Sequence, residues 1–129
     1  MPSGPLDPGQ TNWTSSLAEA LDIVARIGNP ALCSMLDVSA AGNEEAEAPD
    51  TLLRRHMASG LIARVHLNDR NRRAPGQGQD QFAPILRALA ETSYKGICGV
   101  EPFNYYPDPV ACKARAIGYL RGIDEGLST

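Results

Sequence analysis

The sequence predicts an α/β protein in which a parallel sheet is covered by helices. Three observations carry this reading. Short apolar runs alternate with stretches of helical periodicity, in the order loop–α–β–α–β–α–β–α. The strand runs, "ALCSMLDV", "LIARVHLN" and "GICGVEPF", are apolar on both faces, as strands buried between helices are. The 129 residues are 43% hydrophobic and 21% charged, which suits one soluble domain with a sizeable core. Two architectures share this signature, an open doubly wound sheet and a segment of a (βα)8 barrel. In both, the crossovers are right-handed.

The elements follow in order. Residues 1–14 are rich in Pro, Gly and Asp and read as a loop. Ser15 or Ser16 caps a helix in which Leu17, Leu21 and Val24 recur at i, i+4 and i+7, and Gly28-Asn29-Pro30 stops it. Ala31 to Val38 is long enough for a strand and too short for a helix. "SAAGNEEAEAP" reads as an acidic loop, after which Asp50 caps a second helix that ends at Gly60. "LIARVHLN" is the second strand, and the charged, glycine-punctuated loop "DRNRRAPGQGQD" follows it. A third helix runs through "FAPILRALAETS", with Phe82, Ile85, Leu86 and Leu89 on one face and Pro84 in its first turn. "GICGVEPF" is the third strand and "NYYPDP" a turn. Asp108 and Pro109 open the last helix, in which Val110, Ala114, Ile117 and Leu120 share a face.

Bulk properties exclude several functions. A net charge of -3 gives no general basis for binding nucleic acid. No apolar run approaches the ~18 residues of a membrane span. The N-terminus has neither the basic nor the apolar region of a signal peptide. Cys33, Cys98 and Cys112 form no zinc-type spacing, and Cys33 and Cys98 lie in apolar runs, so buried, reduced thiols are expected. These features together place the chain in the cytoplasm, where the Asn12 glycosylation sequon has no meaning.

Asp37, His66 and Glu101 stand at or just past the ends of the three strands, about one βα unit apart. In a parallel sheet those ends are neighbours at the edge where α/β proteins build their sites. Two carboxylates and an imidazole there suit Mn²⁺, Mg²⁺, Co²⁺ or Zn²⁺ better than a thiolate-seeking metal. The competing readings are a helix cap for Asp37, a satisfied structural histidine for His66 and a loop anchor for Glu101. Arg72 is placed to hold a hydroxyl, carboxylate or phosphate in its guanidinium fork. Arg70 and Arg73 read as solvated loop charges, and His56 as a solvated helix residue. Phe103, Tyr105 and Tyr106 either wall a pocket or pack.

The motifs "VHLNDRNRRAPGQG", "FAPILRAL" and "YKGICGVEPF" resemble the C-terminal half of the sugar phosphate isomerase/epimerase superfamily, the xylose isomerase-like TIM barrel group. The likeness runs from about Pro5 to Leu120. It implies a partial (βα)8 TIM barrel, α5-β6-α6-β7-α7-β8-α8, over residues 15–129. It further implies that Asp37, His66 and Glu101 are three of four metal ligands, with Mn²⁺ first and Mg²⁺, Co²⁺ or Zn²⁺ as alternatives. Arg72 would contact a small sugar or hydroxy-carbonyl substrate, and Glu101 would be the catalytic acid/base. The family's first ligand, a strand-5 Glu, falls at Gly4, with no strand expected before it, and a further family histidine is Ala40 here. A truncated protein, weakly active or inactive alone, is therefore expected, pairing with a second copy or with a missing barrel half. The alternative is a non-catalytic half-barrel that binds a metal or a partner chain. The endonuclease branch of the group uses more histidines than the two present here.

Overall fold

The computed structural model describes residues 2–3 and 16–128, the first two by backbone alone. Gly4, the Asn12 sequon and Ser15 lie outside the described residues. Strand β1 (Pro2–Ser3) is followed by α1 (Leu17–Ile27), β2 (Cys33–Asp37), α2 (Val38–Glu44), α3 (Pro49–His56), a 3-10 turn (Met57–Ser59), β3 (Ile62–His66), α4 (Phe82–Glu91), β4 (Ile97–Gly99) and α5 (Pro109–Leu127). The four strands are parallel and stand in the order β1-β2-β3-β4. A doubly wound sheet reverses its strand order at a switch point. Each strand here lies beside the next in sequence, which is the arrangement of consecutive barrel staves.

Burial gives the same answer. On β2 and β3, Leu36 and Val65 are paired and buried under the helices. With Leu17, Leu21, Leu53, Phe82, Ile85 and Leu89 they form the core. The opposite face carries Met35, Arg64 and Ile97, paired across the strands, and there Arg64 is exposed and Ile97 is 63% exposed. Among the described residues the helices cover one face only. The run "LIARV", read from the sequence as apolar on both faces, carries Arg64 on the face away from the helices.

Other expectations hold or shift for local reasons. Ser16 is the cap of α1, its Oγ accepting from Glu19 N at 3.2 Å, and Gly28 closes the helix at φ 64 with its N–H on Val24 O. The N-terminal loop contains a short strand, because Pro2 and Ser3 pair with Cys33 and Ser34. "VSAAGNE" is helical rather than loop, since Asp37 Oδ1 accepts from Ser39 N at 2.8 Å and Ala40 N at 3.1 Å. That cap outweighs the poor helix propensity of Gly42 and Asn43. Helix α3 starts at Pro49, with no side-chain cap; Asp50 lies in its first turn and pairs with Arg54 at 2.6 Å. The third predicted strand shrinks to Ile97–Gly99. Helix α5 buries Cys112 and Ala116; of the face expected to pack, Leu120 meets the core, while Val110 and Ile117 are 78% and 44% exposed. Cys98 is exposed and Cys33 half-buried, against the expectation that both are buried; the buried thiol is Cys112.

Candidate functional site

Parallel registration brings the strand ends into a row. Asp37 ends β2 opposite His66, which ends β3 opposite Gly99 of β4, and Glu101 follows two residues beyond. His66 Nδ1 lies 3.2 Å from Glu101 Oε2 and 3.7 Å from Asp37 Oδ2. A side chain at position 99 would press on the imidazole: a Cβ there would stand 3.1 Å from His66 Cδ2. The imidazole side chain is 14% exposed and that of Glu101 68%, so the histidine is walled in while the glutamate reaches solvent.

Asp37 works in two directions. Its Oδ1 caps α2, and its Oδ2 faces His66 and accepts from Asn68 Nδ2 at 3.2 Å. The helix-cap reading and the site reading of Asp37 are therefore compatible. The sequence did not single out Asn68, which is 1% exposed and also accepts from Glu101 N at 2.8 Å. The signal was present: two residues past His66 on an extended chain, a side chain returns to the same face.

The donor set of two carboxylates and one imidazole matches a divalent cation of the Mn²⁺ to Zn²⁺ kind. Both acids are turned toward a single imidazole nitrogen. Among the described residues no three His, Cys, Asp or Glu side chains form a closed ligand set.

The loop after β3 is built tightly. Arg72 adopts φ 66, and its carbonyl accepts from Phe103 N at 2.9 Å and Asn104 N at 3.0 Å. Its guanidinium lies 5.7 Å from the Phe103 ring, and that of Arg73 lies 5.2 Å from the Tyr106 ring. Phe103, Tyr105 and Tyr106 are all more than half exposed, which overturns the packing reading. Arg70 is paired, its backbone N–H and Nε each donating to Asp80 at 2.6 Å, rather than freely solvated. Asp69 is 1% exposed, and burial first, then the Asp80 carboxyl, push it above the usual carboxylate range. A Cβ on Gly78 would collide with that carboxyl, so "PGQG" passes at a distance only glycine permits. His56 closes α3, away from the strand ends.

Residues 1–123 match the family described as xylose isomerase-like TIM barrel. The chain is 34% identical over 85 residues to a D-psicose 3-epimerase of Enterocloster bolteae, covering 66% of this chain and 27% of that protein. It is similar in fold to an L-ribulose 3-epimerase, with TM-score 0.83 and 22% identity over 95% of this chain and 46% of the other. A 3-keto-D-glucoside 4-epimerase from E. coli gives TM-score 0.81 and 24% identity over 92% and 44%. The chain thus spans less than half the length of these relatives. The strand order and the uncovered face are those of part of such a barrel.

Proposed function

The chain belongs to the xylose isomerase-like TIM barrel family, and from that premise we propose that it is a sugar phosphate isomerase/epimerase-like protein handling a ketose or hydroxy-carbonyl compound. The observation that supports this most is the row Asp37–His66–Glu101, with separations of 3.7 and 3.2 Å about one imidazole nitrogen. In this reading those three residues hold a divalent metal, Mn²⁺ first, with Mg²⁺, Co²⁺ or Zn²⁺ as alternatives. The donor chemistry fits such an ion. When bound, the ion supplies Lewis acidity that makes a C–H beside a carbonyl easier to deprotonate.

The chain's own residues do the rest. Glu101 is the most exposed of the three and stands where a substrate C–H can approach, so it takes and returns the proton. Asp37, fixed by the α2 N-terminus, and His66, walled by Gly99, keep their places while Glu101 acts. Arg72, steadied by Phe103, holds a substrate hydroxyl or phosphate. Inversion at carbon needs a second acid on the opposite face, and the family's position for it is Gly4 here. Alone, the chain is accordingly a weak epimerase or none.

Titration of the purified chain with MnCl₂ tests this. One ion per chain is expected, with affinity falling at least about tenfold in Asp37→Ala and His66→Ala. Unchanged metal content in both variants would sink the assignment.

A second reading has its own support. The sheet face carrying Arg64 and Ile97 is uncovered among the described residues, which favours a half-barrel that binds a second copy or a complementary barrel half. The unpaired thiols of Cys33, Cys98 and Cys112 favour a reducing compartment, the cytoplasm in this proposal. No described helix is long and apolar enough to cross a membrane. The net charge of -3 argues against a nucleic-acid partner.

A further inference from the structure

Backbone ladders align strands only as far as the strands run. β2 stops at Asp37, β3 at His66 and β4 at Gly99. Glu101 is past the end of its ladder, and Asp37 and Glu101 belong to strands separated by β3. Sheet hydrogen bonding therefore does not set the distance between the two carboxylates.

Asn68 bridges that gap. It leaves the end of β3, is 1% exposed, and reaches both neighbours with one planar amide. Nδ2 donates to Asp37 Oδ2 at 3.2 Å, and Oδ1 accepts from Glu101 N at 2.8 Å. The partners fix the amide's orientation, because a carboxylate cannot donate and a backbone N–H cannot accept. A side chain with a donor on one corner and an acceptor on the other is needed; an ionised Asp supplies only the acceptor and Leu neither. Asp37 is held from its other side by the N–H groups of Ser39 and Ala40, so the Asn68 bond removes its remaining rotation.

We propose that Asn68 is a positioning residue of the site: its amide ties the Asp37 carboxylate to the backbone of Glu101 and so sets the spacing of the two acids. The proposal rests on the metal-binding reading above and adds to it a residue outside the ligand set. Buried and doubly bonded, the amide also leaves an unsatisfied group on each side when removed.

The test compares the wild-type chain with Asn68→Ala and Asn68→Asp. Aspartate keeps an acceptor for Glu101 N–H but loses the donor and sets a like charge against Asp37. Amide hydrogen exchange at Glu101 is expected to be slow in wild type and in Asn68→Asp, and fast in Asn68→Ala. Affinity for Mn²⁺ alone is expected to fall roughly 10- to 100-fold in both variants, while melting without metal confirms that each is folded. Fast exchange at Glu101 in wild type overturns the tie, even if neither variant folds. Folded variants that bind Mn²⁺ within roughly threefold of wild type overturn the positioning role. A wild-type chain that takes up no Mn²⁺ removes the metal reading, while the exchange pattern still decides whether Asn68 holds Glu101.

Discussion

A single methyl group is enough to disturb the loop that follows β3. Gly76 sits at φ 83, and a Cβ on it would lie 2.9 Å from the Tyr119 ring of α5. Tyr119 cannot easily retreat, because its ring meets Phe82 edge-on at 6.2 Å between centroids. Gly76→Ala is therefore expected to destabilise the chain by about 1–3 kcal/mol in urea melts; an unchanged midpoint would show that the loop relaxes freely. Arg72, four residues earlier, bears the same backbone strain without being glycine. Its carbonyl bonds to Phe103 and Asn104 hold it there. At this scale the sequence was informative where chemistry coincided with a strand end, as for Asp37, His66 and Glu101. It was mute for Asp69, whose burial depends on how closely Gly78 passes over it, a property of the folded loop rather than of any residue type.

Elements behave similarly. Tyr94 stands just before β4, and its hydroxyl lies 3.1 Å from the carbonyls of both Ala63 on β3 and Ile97 on β4. It thus bridges the two strands at the end opposite the site. Tyr94→Phe is expected to cost about 1 kcal/mol. Burial first, and then Cys98, push the Tyr94 phenol up to about 12, with Arg64 acting in the opposite sense. The folded form binds the proton more tightly than the unfolded one, whose value is 10.0, so the contribution is full below pH 10 and is lost as pH rises through about 12. Melts of wild type and Tyr94→Phe across that window should converge as pH rises; a constant gap would refute it. Long helices with regular apolar spacing, α1 and α4, were legible before folding because their cores are set by their own periodicity. α2 was not, because it depends on one capping carboxylate. Nor was the orientation of α5, which sets Cys112 and Ala116 against Ala74 and meets the main core through Tyr119, Leu120 and Ile123 while Val110 and Ile117 face outward.

For the whole molecule, the sheet face and edges left uncovered among the described residues bear most on behaviour in solution. Ile97, 63% exposed on β4, is the apolar residue through which the half-barrel proposed above would meet a second copy. Sedimentation at rising concentration is expected to show association in wild type and a shift toward monomer in Ile97→Lys with little loss in melting temperature. A wild-type chain monomeric throughout would count against the half-barrel reading. The sequential strand order also bears on how the chain acquires its structure. Asp37 pairs with His66 and His66 with Gly99, so successive pairings each close a span of about thirty residues. Closing each span costs nearly the same entropy, and no strand waits for one made much later. These units can therefore assemble as a short array, one βα unit docking on the one before it in the order of synthesis.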